Sequence, residues 1–150
     1  MKENEPDAVA QLCRPLGFQV MDHFFDCQCN PSYLSNANEL FSVGGFTECF
    51  VLLNEVLETV KKCGLTVMGH SYQPFPEDEH GNASWTLAVT LAESHLCLHT
   101  WPAEDRVDLD IYVCHYTQDN TEKATALHES LRQLFMPLEC SPAFLQRTRK

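Results

Sequence analysis

A chain of 150 residues can build one domain with a real core, and its 44% apolar content is ordinary for a globular protein. Its net charge of −11 argues against nucleic-acid binding, which asks for a basic face; it favours small cationic ligands only weakly, because a solvated acidic surface explains it more simply. No run approaches the ~20 apolar residues of a membrane span, and the polar, acidic residues 1–10 are no signal peptide, so a cytoplasmic chain away from membranes is expected.

Residues 1–15 read as a polar arm or short helix. Residues 18–27 are apolar and aromatic with little helical periodicity, which predicts a first strand. The stretch 30–38, rich in Asn, Ser and Pro, is loop. Gly44 and Gly45 open a helix in which Phe50, Leu53, Val56, Leu57 and Val60 recur at three- and four-residue spacing. Glu48 in its first turn and Lys61 and Lys62 in its last suit the helix dipole, and Gly64 supplies a stop. Residues 65–72 form a second strand. Residues 74–82, with two prolines, a glycine and the acids Glu77, Asp78 and Glu79, form an exposed loop.

Trp85, Leu87, Val89 and Leu91 alternate with Thr86, Ala88, Thr90 and Ala92, as in a half-buried strand. If that strand stays regular as far as Ser94, Thr86 and Ser94 point the same way, and residues 95–100 continue as strand after a bend. A turn at 102–106 follows. Val107, Leu109, Ile111 and Val113 then alternate with Asp108, Asp110, Tyr112 and Cys114, so Cys114 falls on a polar face where a space-filling cysteine would not be expected. Asp119 and Glu122 have capping-box spacing before a helix with Leu127, Leu131, Leu134 and Phe135 on one face, ended by Pro137. Residues 138–145 suit a short edge strand and 146–150 a basic tail. With no repeat or linker, 1–150 is a single domain. Runs of adjacent strands imply antiparallel pairing with both helices on one face: a two-layer α/β (α+β) sandwich.

Eight cysteines are many, but with no secretion signal they suit buried thiols in a reducing compartment better than disulfides. Cys27 and Cys29 near His23 lack a second ligand pair at finger spacing, so no metal is expected. The chemistry concentrates in Glu93-Ser94-His95-Leu96-Cys97-Leu98-His99-Thr100-Trp101-Pro102. A hydrolase triad fits poorly, since no G-x-S-x-G elbow is present. Self-cleavage accounts for more residues. Ser94 would attack the carbonyl of Glu93, with Thr86 and His99 as candidate donor and base. Loss of the α-proton and hydrolysis would then leave a pyruvoyl group. Its ketone would form a Schiff base with a substrate amine and draw electrons from a departing carboxylate, and Cys114 would return a proton.

The stretch 92–102 together with Asp108-Leu109-Asp110-Ile111-Tyr112-Val113-Cys114 resembles the bacterial and archaeal S-adenosylmethionine decarboxylase proenzymes. The resemblance implies a cut after Glu93, a pyruvoyl cofactor from Ser94, processing help from His99 and Thr86, and Cys114 as proton donor. It also implies a homodimer with active sites at the subunit interface, and a place in spermidine and wider polyamine synthesis. Where the family usually has a ribose-binding glutamate after Trp-Pro, this chain has Ala103, with Glu104 one residue on as a substitute. That change, with the acidic loop 74–82, keeps L-ornithine or L-arginine open as alternative substrates. An unprocessed, non-enzymatic homologue is the remaining alternative.

Overall fold

The structure, a computed structural model, describes residues 15–35 and 48–148. The expected N-terminal arm, apart from Pro15, and the helix opening at Gly44 and Gly45 lie outside the described residues.

Among the described residues seven strands make one antiparallel sheet: β1 (Pro15–Phe25), β2 (Val67–Pro74), β3 (Trp85–Leu91), β4 (Ser94–Trp101), β5 (Arg106–Cys114), β6 (Glu139–Cys140) and β7 (Ala143–Thr148). Their order is β2-β3-β4-β5-β1-β6, and β7 also pairs with β1. Among the described residues two α-helices, α1 (Glu48–Lys62) and α2 (Thr121–Phe135), accompany the sheet. Both pack on one face, as the sequence implies, because strand alternation leaves one apolar face to cover. Leu52, Val56 and Val60 of α1 and Leu127, Leu131 and Phe135 of α2 are buried in the same core as Trp85, Leu87, Val89, Leu96, Leu98, Leu109 and Ile111. Trp85 is 1% exposed and donates its indole N–H to the Tyr33 carbonyl at 2.9 Å, so its one polar atom is satisfied within the core.

Among the described residues, none of the helices covers the opposite face. Thr86, Ala88, His95, Cys97, His99, Trp101, Asp108, Asp110 and Tyr112 lie on it by strand alternation. Gln19 donates to Asp110 at 2.9 Å, and Trp101 donates its indole N–H to Asp108 at 2.8 Å.

Three expectations need correction. The strand from Trp85 does not run on to His95: Ala92 and Glu93 form a two-residue turn, and β3 and β4 are an antiparallel hairpin with Leu91 opposite Ser94. Thr86 therefore sits at the far end of the hairpin from Ser94. No capping box forms, since the Asp119 carboxylate accepts from the Thr121 N–H at 2.9 Å and the N-cap is Asn120. The last segment is two strands, with Ser141 between them turned in by its N–H to Asp22, so Gln146, Arg147 and Thr148 are strand and not tail.

Candidate active site

The β3–β4 turn is strained where the chemistry is expected. Glu93 adopts φ 64, a left-handed conformation that an L side chain enters at a cost of about 1–2 kcal/mol, and turns that need it there usually use Gly or Asn. Ser94 follows as the first residue of β4. Its hydroxyl oxygen accepts the backbone N–H of Cys114 at 3.2 Å, which ties the turn to the end of β5.

Cys114 ends β5 on the open face, as the alternation of its strand implies. The carbonyl of Cys114 accepts from Asn120 Nδ2 at 2.8 Å, and the N–H of His115 donates to the Leu16 carbonyl at 2.9 Å. His115 is buried, and its Nδ1 accepts the Asn120 N–H at 3.1 Å. The proton of a neutral ring then lies on Nε2, which faces Thr121 Oγ1 at 3.3 Å. Sequence reasoning missed Asn120 and His115. The available signal was their placement between Cys114 and the start of a helix.

The other candidate residues lie at the opposite end of the hairpin. Thr86 Oγ1 and His99 Nδ1 are 2.9 Å apart, paired across β3 and β4. His99 is five steps along the strand from Ser94, roughly 16 Å at ~3.3 Å per residue. One chain therefore brings Ser94 to Cys114, and Thr86 to His99, but does not join the two pairs.

Thr86 and His99 border a cavity of about 250 Å³ with Phe75, Ser84 and Trp101. A second cavity of about 170 Å³ shares Ser84 and Trp101 with it and adds Asp78, Ala103 and Glu104. Glu104 lies there as a half-exposed carboxylate bound to Arg106 Nη1 at 2.7 Å. The Arg106 guanidinium stacks 4.9 Å from the Trp101 ring centre. Asp78, from the acidic loop, accepts the N–H groups of Asn82 and His80, and the bond from Asn82 leads in holding its carboxyl below the usual range. The loop thus reaches the cavity wall.

Among the described residues no set of three or more His, Cys, Asp or Glu is arranged to hold a metal ion. Burial pushes the Cys27 thiol up to about 12 and the Cys29 thiol up to about 11, which marks both as inert.

The two-layer sandwich has a counterpart among solved structures. The crystal structure of the adenosylmethionine decarboxylase from Aquifex aeolicus superposes with a TM-score of 0.66 over 90% of this chain and 92% of that one. At 19% identity this is a likeness of fold. The family profile described as S-adenosylmethionine decarboxylase matches residues 48–147, well over half of the chain, and the chain belongs to that family. Two relatives carry the name S-adenosylmethionine decarboxylase proenzyme. The one from Symbiobacterium thermophilum is 41% identical over 69 residues, 45% of this chain and 48% of its own length. The one from Archaeoglobus fulgidus is 42% identical over 77 residues, 51% of this chain and 63% of its own length. The chain thus matches about half to under two thirds of these relatives.

Proposed function

We propose that this chain is a self-cleaving proenzyme that becomes a pyruvoyl-dependent decarboxylase of S-adenosylmethionine, supplying the aminopropyl donor for spermidine. The observation that carries the reading is the Glu93–Ser94 turn: a serine hydroxyl directly after a left-handed glutamate, held against the strand end that bears Cys114. Both features fit a backbone that must break there. The Ser94 hydroxyl attacks the Glu93 carbonyl, and the shift from amide to ester releases the left-handed strain. Removal of the Ser94 α-proton then expels the Glu93 carboxylate and leaves dehydroalanine at residue 94, and hydrolysis of its imine tautomer releases ammonia and leaves the ketone.

A second copy of the chain supplies what one copy lacks. Thr86, His99 and Cys114 lie on the open face and Ser94 at the turn against the Cys114 backbone, the two pairs being at opposite ends of β4. Two such faces packed about a two-fold axis bring Thr86 and His99 of one protomer toward Ser94 and Cys114 of its partner. Thr86 then serves as donor to the Glu93 carbonyl and His99 as the base. When formed, the pyruvoyl ketone supplies an electron sink for the amine-bearing substrate as its carboxylate leaves. Cys114 would hold the proton returned to the substrate once its carboxylate has left, and the hairpin end at Trp101 with the aromatic cavity beside His99 would receive the rest of the substrate. Glu104 stands in for the glutamate absent at Ala103, with Arg106 holding its carboxylate at the cavity edge.

The relatives' names favour the nucleoside substrate over ornithine or arginine, and the strained, serine-bearing turn favours an enzyme over an unprocessed homologue. The six cysteines whose side chains are described are all free, which suits a reducing cytoplasm, and among the described residues no helix is long and apolar enough to cross a membrane. The test is CO2 release from labelled S-adenosylmethionine, L-ornithine and L-arginine. Turnover of the nucleoside alone is expected; turnover of an amino acid with none of the nucleoside overturns the substrate reading.

A further inference from the structure

We propose that Asn120 is a positioning residue for Cys114, holding the last peptide of β5 in its place against Ser94 and so fixing where the thiol starts from. Asn120 is the N-cap of α2, and asparagine is among the best residues for satisfying a helix's first N–H groups. Here its side chain makes no cap hydrogen bond. It turns away from the helix and donates from Nδ2 to the Cys114 carbonyl at 2.8 Å.

That choice leaves Oδ1 buried with no hydrogen-bond partner. The orientation is forced: a carbonyl can only accept, so the amide nitrogen must face Cys114 and the oxygen must face away. Buried unpaired acceptors are rare, because each gives up water for nothing. A helix cap and a satisfied amide have both been given up at one residue, and what is obtained in return is a hold on Cys114.

The hold is two-sided. The Cys114 N–H reaches Ser94 Oγ at 3.2 Å while its carbonyl is fixed by Asn120. The Asn120 N–H fixes Nδ1 of the next residue, His115. Asn120 thus couples the start of α2 to two successive residues at the reactive end of β5. Its catalytic meaning rests on the proton-donor role proposed for Cys114.

The test uses the full chain with Asn120→Asp and Asn120→Ser. Both replacements remain good N-caps, so the helix keeps its start, but neither can donate an amide N–H to the Cys114 carbonyl. Two readouts are taken. Peptide-resolved alkylation with iodoacetamide measures the Cys114 thiol without substrate or turnover, with Cys97 on the same open face as internal control. Steady-state CO2 release gives kcat, KM and the pH profile of kcat.

A several-fold change in Cys114 alkylation with Cys97 unmoved is expected in both variants. In Asn120→Asp the added carboxylate opposes the thiolate, so the alkylation midpoint moves to higher pH. In turnover, kcat falls about tenfold with KM little changed. Native alkylation at Cys114 and a native kcat–pH profile in folded Asn120→Ser overturn the proposal, and that variant decides if Asn120→Asp fails to fold. If Cys114→Ala retains full decarboxylation, the role of Cys114 fails, while the alkylation result still reports on Asn120.

Discussion

Mixing two inactive variants should restore cutting to one of them. The roughly 16 Å of strand between Ser94 and His99 far exceeds the ~3 Å that proton transfer requires. His99→Ala alone should stay uncut, because no protomer offers the base. Ser94→Ala alone has nothing to cut. In a mixed dimer the His99→Ala chain keeps Ser94 and receives His99 from its partner, which makes one complete site. With equal expression and random pairing, half of the His99→Ala chains have such a partner, so cutting should approach half of that chain and none of the other. Distinct affinity tags on the two chains allow mixed dimers to be purified and read on a denaturing gel. If mixed dimers form and the His99→Ala chain stays whole, the reasoning from separation to a shared site is wrong. If His99→Ala alone cuts at the native rate, His99 has no part in processing.

Other outcomes follow from the same geometry. Cys114→Ala should still give fragments of 93 and 57 residues but slow CO2 release, and native turnover would remove it as proton donor. Glu93→Gly relieves about 1 kcal/mol of left-handed strain, so cutting should slow up to about fivefold while thermal stability holds or rises, as timed gels and a melting curve would show; faster cutting would contradict the strain argument. His128 Nε2 lies 2.6 Å from Asp22 Oδ2, whose side chain is fully buried. Removing the histidine as His128→Ala leaves that carboxylate with the Ser141 N–H alone, and should cost about 3 kcal/mol in denaturant unfolding; an unchanged midpoint would refute it. Cys27 and Cys29 are raised from 9.0 by burial, so the unfolded chain loses their protons first as pH rises. Their contribution is fully present below about pH 9 and is lost as pH climbs toward 11 and beyond; stability flat across that window would contradict their burial.

Much of the fold was legible because strand alternation is a local signal. Trp85 to Leu91 and Val107 to Val113 wrote their buried faces into every second residue, and Cys114 was correctly set on the open one. The Ala92–Glu93 reversal was not legible, since neither residue is a usual turn former and the turn survives as strain. Reading through it sets Thr86 and Ser94 on one face of one strand, where the structure puts them at opposite ends of a hairpin and pairs Thr86 with His99. Asn120 was hidden for a different reason. Its role depends on where β5 ends in space, and the neighbouring Asp119 and Glu122 offered a more familiar helix start. Glu104 is suggested by the family resemblance, as a neighbour of Ala103, and only the structure shows its carboxylate held by Arg106.

The most direct measurement is the intact mass of freshly folded protein with the N-terminal chemistry of each species. Two chains, of 93 and 57 residues, are expected. The longer should keep a free amine, and the shorter should lack one and be trapped by a carbonyl reagent. A single full-length chain with no reactive carbonyl would contradict the claim that Ser94 breaks its own backbone.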